Sequence, residues 1–334
     1  MSPAPLQIPD HVRAAFGLTG CALVPLPGDA STRRYARLVH PEHGPSLVLT
    51  DTPGTLHFEN FFVIGERLAE LGFSTPRVFA RDRQAGVALI EDFGTNTYTR
   101  LLSEGADETE LYTLAIDTLA AIQEAVPSRG LDLPDYDLDF LLNEVEIMAD
   151  WFAPSTGRPL TDSEKRQHRA LWQRALGDVA DKRDTLVIRD FHVDNLMVLD
   201  GRTGIAACGI LDFQGGMIGA EAYDLMSLLQ DARRDIPLSL QNAMLDRYFF
   251  QRPELDRDAI LHDFHLLGAQ RHTKVAGIFH RLNTQDGKSS YLAHVPRVLR
   301  LLERALEAAG LNDLTAFYDE AMPGWRERTA ISSE

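Results

Sequence analysis

The chain has only two cysteines, Cys21 and Cys208, too few for a disulfide framework and not spaced as a metal site. Both read as small apolar packing residues. Nowhere does it approach the roughly 18 consecutive apolar residues that cross a bilayer. Met1 to Gly20 also lacks the basic flank and apolar core of a secretory signal, so the expected setting is cytoplasmic, with no membrane partner. Positive charge is short too: 33 Lys and Arg face 49 Asp and Glu, a net charge of −16. That balance argues against nucleic acid or anionic lipid as a partner, and it means that an anionic ligand must find a local cluster of cations or a metal ion. The chain has no internal repeat, no low-complexity tract and no G-x-G-x-x-G loop. What remains is 334 residues, 44% hydrophobic and 25% charged, ordinary for a globular protein of two domains or one bilobal unit.

The stretch Arg189-Asp190-Phe191-His192-Val193-Asp194-Asn195, followed by Ile210-Leu211-Asp212-Phe213, carries the chemistry. An Asp five residues before an Asn, with a second Asp on a later strand turn, is the acid set of a phosphoryl-transfer loop. In that set the first Asp takes the proton of the attacking hydroxyl, while the Asn and the second Asp hold a magnesium ion. Asp190, Asn195 and Asp212 fit the three roles. Magnesium is a hard cation that prefers oxygen ligands, which explains the residue types. The apolar runs Thr185-Leu186-Val187-Ile188 and Gly209-Ile210-Leu211 read as strands delivering Asp190 and Asp212. Between them, Asn195 to Leu199 and the turn Asp200-Gly201 look like a hairpin. Either acid motif alone would be weak evidence; both in order, each after an apolar strand, are much less a product of chance.

Upstream, Pro27-Gly28-Asp29-Ala30-Ser31-Thr32 is a small polar loop between Ala22–Leu26 and the alternating run Arg34–Val39. Ser46 to Thr50 is a further strand. A strand, tight loop and strand can aim backbone N–H groups at nucleotide phosphates, although an ordinary hairpin turn has the same appearance. Phe58, Phe61, Phe62, Leu68 and Leu71 recur at helical spacing, with Gly72 as a stop. Val87-Ala88-Leu89-Ile90 then forms a strand running into Glu91-Asp92-Phe93-Gly94, the position of an adenine-binding hinge in a bilobal kinase. Beyond it the pattern turns helical: Asp107 with Glu110 looks like a capping box, and Phe140–Phe152, Ser163–Val179 and Leu292–Ala309 follow as helical runs.

With Gly28 to Tyr35, Arg189 to Met197 and Ile210 to Gln214 in that order, the chain resembles the aminoglycoside phosphotransferase and choline kinase superfamily. Tyr223 to Asp235 and Gln270 to Gly277 are similar to a narrower group, the anomeric kinases of N-acetylmuramate and N-acetylglucosamine used in peptidoglycan recycling. The resemblance covers about residues 25 to 300. It implies an α+β, protein-kinase-like bilobal fold: a small N-lobe with an antiparallel sheet, residues 1–94, and a larger, mostly helical C-lobe, residues 95–334. It further implies ATP and Mg2+ as cofactors and phosphorylation of the C1 hydroxyl of an amino sugar. By position, Asp190 is the base, Asn195 and Asp212 are the magnesium ligands, and Gly28, Asp29, Ala30 and Ser31 form the phosphate loop, with Glu91 and Phe93 at the hinge. Asp224 would brace the catalytic loop, though a helix N-terminal Asp has a simpler dipole rationale.

The chain departs from that family at two places. Thr50 stands where a third-strand Lys commonly holds the α- and β-phosphates, leaving Arg33 or Arg34 as the replacement cation. Ile188 stands where related loops place a structural His two residues before the catalytic Asp. For the sugar, Asp231 and Arg234, expected on a helix after the metal-bearing strand, and Arg271 with Lys274 three apart on another helix, are the candidates. Two alternatives are an aminoglycoside or other small-alcohol phosphotransferase and a nucleotide-binding pseudokinase. Acidic net charge favours a polycationic substrate, whereas Arg234, Arg271 and Lys274 favour an anionic one.

Overall fold

A computed structural model describes residues 6–27, 33–126 and 131–327. The phosphate-loop candidates Gly28, Asp29, Ala30 and Ser31 lie outside the described residues. Five strands come first: β1 (Val24–Pro25), β2 (Arg34–His40), β3 (Gly44–Thr50), β4 (Val78–Asp82) and β5 (Val87–Glu91). Four short ones follow: β6 (Thr185–Val187), β7 (Leu196–Val198), β8 (Cys208–Ile210) and β9 (Met217–Gly219). The architecture is α+β, with the antiparallel sheet at the N-terminal end and a mostly helical remainder. By internal contacts the chain forms two compact units, Met1–Ile122 with Val193–Gly216, and Gln123–His192 with Met217–Glu334.

The first unit is built on a sheet of strand order β1-β2-β3-β5-β4. Alternation in β2 buries Ala36, Leu38 and His40 on one face, while β5, paired on both sides, buries Val87 to Ile90 without interruption. Ile8, Val12, Phe16 and Leu18, around the short helix Asp10–Ala15, pack with Leu38, Val48, Val87 and Leu89 in one core. The helix Leu56–Glu70 is capped by Thr55, whose hydroxyl accepts the Phe58 N–H at 3.3 Å, and buries Phe58, Phe61, Phe62, Ile64 and Leu68. Gly72, at φ 89°, ends that run in the left-handed region.

The second unit is helical around Arg257–Asp286, a helix of 30 residues. The single helix expected over Phe140–Phe152 is instead an α-helix, Leu138–Ile147, that widens into a π-turn at Met148–Phe152. Gly277 of the long helix meets this junction so closely that a Cβ there would lie 2.4 Å from the Ile147 carbonyl. Two helical backbones therefore touch where the ladder changes register. Helix Asp162–Ala180 begins with a full capping box between Thr161 and Glu164, and the last expected run is resolved as Val295–Ala308 after a 3-10 turn, Ser289–His294. Strand β6 pairs with β9, Thr185 opposite Gly219.

Candidate active site

The first unit holds the two proposed metal ligands on one hairpin. Strands β7 and β8 pair with Leu196 opposite Ile210 and Val198 opposite Cys208. Past the first pair, Leu211 N–H donates to the Asn195 carbonyl at 2.9 Å, so Asn195 and Asp212 leave the same hairpin end. The expected tight turn at Asp200-Gly201 does not close this hairpin alone, because a 3-10 turn, Gly204–Ala207, intervenes before β8. Asp212 sits in the left-handed region at φ 56°, a conformation Asp tolerates because its short side chain bonds locally; here Gln214 Nε2 donates to it. Phe213 seats the turn by stacking on Phe61, ring centroids 5.2 Å apart. A Cβ on Gly65 would come within 3.1 Å of the Phe213 ring, so glycine permits this seating. Two oxygen donors suit a hard cation that keeps water and substrate oxygens as its other ligands. No cluster of three or more His, Cys, Asp or Glu that could hold a metal ion occurs among the described residues.

The other end of the hairpin reaches Glu91 and Phe93, the residues expected at the hinge. Arg202 Nη2 donates to Glu91 at 2.5 Å and Nη1 to the Ser74 hydroxyl at 2.8 Å, while its guanidinium lies over the Phe93 ring at 5.3 Å. Phe93 also packs on Gly209, where a Cβ would be 3.0 Å from the ring. Thr50 is in register with Arg34 and Val87, inside the sheet. Arg33 is 4% exposed, donates to Asp51 at 2.7 Å and to the His57 carbonyl at 2.9 Å, and lies 5.3 Å from the Phe61 ring that also carries Phe213. Arg34 is exposed and donates to the Arg33 carbonyl. Burial raises the Tyr35 hydroxyl pKa, with Arg33 lowering it and Asp212 and Asp51 raising it.

The second unit holds Asp190 just beyond β6, in a network of charges. Asp224, in the first turn of the helix Ala222–Leu229, accepts the N–H of Ile188 at 2.6 Å and of Arg189 at 2.8 Å. Arg189 takes φ 74°, so the loop reverses there at a cost of about 1–2 kcal/mol. Its carbonyl accepts Arg271 Nη1 at 2.9 Å, and Arg271 Nη2 donates to Asp190 Oδ1 at 3.3 Å. Glu144, on the buried face of Leu138–Ile147, receives Lys274 and Arg189 at 2.6 Å each, Gln270 at 3.0 Å, and the Tyr136 hydroxyl. Burial raises the Glu144 pKa, but Lys274 and Arg189 outweigh it and hold it at about 2. Partial burial of Asp190 is likewise outweighed by Arg271, Lys274, His192 and Arg189, which keep it ionised. Burial pushes Asp224 up to about 7, against its two backbone donors.

Residues 22–261 match the family model for phosphotransferase enzymes. The chain belongs to the phosphotransferase enzyme family. An N-acetylmuramate/N-acetylglucosamine kinase from Caulobacter vibrioides is 34% identical over 89% of this chain and 91% of its own. A protein of the same name from Pseudomonas aeruginosa is 34% identical, over 88% of each chain. Among solved structures, a choline/ethanolamine kinase family protein from Mesorhizobium loti superposes with a TM-score of 0.59 over 96% of this chain and 99% of its own, at 16% identity. An ADP-bound aminoglycoside phosphotransferase, APH(2'')-Ib, gives 0.55 over 90% and 97%, at 15% identity. These two share the fold of this phosphotransferase.

The sugar candidates of this phosphotransferase stand in different settings. Asp231 and Arg234, read as helical from sequence, lie in the loop after the helix Ala222–Leu229. Asp231 Oδ1 accepts the Arg233 N–H at 2.8 Å, an Asx-turn that ends helical winding. Its Oδ2 is buried and has no hydrogen-bond partner among the described residues. Arg271 and Lys274 do share a helix face, and that face points at Asp190 and Glu144. Sequence reasoning missed Glu144, Tyr136, Tyr223 and Asp51. Glu144 had a signal, since Leu141, Val145 and Met148 place it on an apolar helical face where a carboxylate needs partners. Tyr136 had none, as a buried tyrosine resembles any core aromatic, and Tyr223 was marked only as the first residue of the segment Tyr223 to Asp235.

Proposed function

We propose that this phosphotransferase is an ATP- and Mg2+-dependent sugar kinase that phosphorylates the C1 hydroxyl of N-acetylmuramate or N-acetylglucosamine. The observation that carries the reading is the 34% identity to kinases of that name over about nine-tenths of both chains. The retained acid set supports it. In this reading Asp190 accepts the proton of the sugar hydroxyl, and its cationic surroundings keep it ionised for that task. Asn195 and Asp212 hold magnesium, which when bound neutralises charge on the nucleotide phosphates. Arg33, oriented by Asp51, supplies fixed positive charge in place of the Lys absent at Thr50, with Arg34 beside it. Gly28, Asp29, Ala30 and Ser31 cover the phosphates, and Glu91 and Phe93 flank the base. Asp231 offers its unpartnered oxygen to a sugar hydroxyl, and Arg234 offers a cation to the lactyl carboxylate. Such an enzyme works in the cytoplasm, on the recycling of cell-wall sugars.

A panel of amino sugars and aminoglycosides incubated with ATP and magnesium, read by phosphorus NMR, tests the reading. An acid-labile phosphate on O1 of N-acetylmuramate or N-acetylglucosamine is expected. Phosphate on another oxygen, or turnover on kanamycin alone, would overturn it.

A further inference from the structure

The catalytic loop lacks the structural His expected at position 188 and yet contains a residue that needs bracing. Ile188 stands where a structural His is expected and is 1% exposed; its side chain has no hydrogen-bonding atom. The next residue, Arg189, is held at φ 74°, a conformation that persists only where surroundings over-determine it. Both of its peptide groups are clamped: Asp224 takes the N–H at 2.8 Å, and the carbonyl receives Arg271 at 2.9 Å and the Ser227 hydroxyl at 3.4 Å. The same Arg271 guanidinium donates to Asp190 at 3.3 Å and to the Tyr223 hydroxyl at 3.1 Å, and it stacks over the Tyr223 ring at 5.6 Å.

We infer that Arg271 is the positioning residue of the catalytic base, tying the Asp190 carboxylate to the carbonyl of the strained residue before it and so replacing the brace absent at Ile188. The inference rests on the assignment of Asp190 as base and deepens that assignment. Arginine suits the task because its planar fork presents donors to three acceptors at once, whereas a lysine ammonium is a compact point charge on a flexible stem. The Arg271 side chain is 7% exposed and that of Asp190 44%, so the carboxylate is gripped from the protein side and keeps a face toward water. A purely structural arginine could have been satisfied by the carbonyl and the tyrosine hydroxyl alone. A cation beside a general base weakens it, but phosphoryl transfer relies on placement of the reactants more than on strong proton abstraction.

The test is steady-state kinetics of the full chain with ATP, magnesium and N-acetylmuramate for Arg271→Lys, Arg271→Gln and Arg271→Ala. Turnover should fall about 100-fold in Arg271→Gln, the loss typical of a misplaced catalytic group, with KM for ATP and sugar within about threefold of the unsubstituted enzyme. Added guanidinium should restore turnover of Arg271→Ala and leave Asp190→Asn unchanged. In the Asp190→Asn background, Arg271→Gln should cost nothing further, because the group it positions is already lost. Turnover near that of the unsubstituted enzyme in Arg271→Lys or Arg271→Gln, an unchanged turnover with a raised sugar KM, or additive losses in the double variant would each overturn the inference. Should Arg271→Ala fail to fold, Arg271→Lys and the double variant still decide. An unsubstituted enzyme inactive on every sugar but active on another acceptor defeats the sugar reading alone; the same variants are then read on that acceptor.

Discussion

Two sets of candidate site residues in this phosphotransferase are held in place by different physics. Asn195 and Asp212 stand at the end of a three-pair hairpin, fixed by a backbone hydrogen bond, a left-handed turn and an aromatic stack on Phe61. Asp190 stands in a loop whose shape is imposed by side chains from other elements: Asp224, Arg271, Glu144, Lys274 and two tyrosines. Backbone positioning is local and tolerates exchange of the functional side chain, since hairpin and turn remain. Ionic positioning is collective, so removal of one member leaves buried charges without partners.

The largest effect should come from Asp190 itself. Asp190→Asn is expected to lower turnover about 1,000-fold while nucleotide affinity, measured by calorimetry, changes little. An unchanged turnover would remove Asp190 as the base. Next is the network's centre: Glu144→Ala strands Lys274 and Arg189 and should destabilise the chain by about 3–5 kcal/mol in urea melts. Asp212→Asn, which keeps a residue that accepts the left-handed turn, should cost under about 1 kcal/mol, while turnover is expected to be lost. Equal losses of stability would erase the distinction between the two groups.

The pH dependence of stability sharpens it further. Glu144 is held at about 2 in the folded chain, mainly by Lys274 and Arg189 against its burial, below the usual 4.5. The folded state therefore binds fewer protons than the unfolded state between those values. The stabilisation is complete above about pH 4.5 and disappears as pH falls toward 2, about 3 kcal/mol in all. Glu144→Gln should flatten the acid limb of a melting-temperature profile by that amount, and an unaltered slope would refute the ion-pair account. The smallest effect belongs to the expected hinge: Arg202→Gln breaks a partly buried pair with Glu91 and should raise KM for ATP by up to about fivefold.

The legible part of the chain is the part organised locally. Strands β2, β3 and β5, the helix after Thr55 and the acid-bearing loops announce themselves through alternation, apolar runs and capping residues close in sequence. Asn195 and Asp212 belong to this class; Asp190 was legible by its spacing to Asn195, although its placement is set by side chains distant in the chain. The π-turn at Met148–Phe152 is not legible, because it answers to the contact of Gly277 with Ile147, 130 residues away in the chain. Helix Asp10–Ala15 is too short for periodicity to register, and only the core around Leu38 and Val48 makes it worth forming. Arg271 and Lys274 were visible as basic residues inside an apolar helix, but their partners are set by tertiary packing. Charge type could be read from sequence, and charge pairing could not.

The β7–β8 hairpin has one further property. One of its ends carries Asn195 and Asp212; the other carries Arg202, bonded to Glu91 and stacked on Phe93. Three paired residues separate the ends, roughly 10 Å at the usual rise of a strand. If the hinge end takes a nucleobase and the acid end takes phosphate-bound metal, the hairpin is a ruler for the ligand, and adding a pair of residues to each strand would lengthen that ruler by about 7 Å.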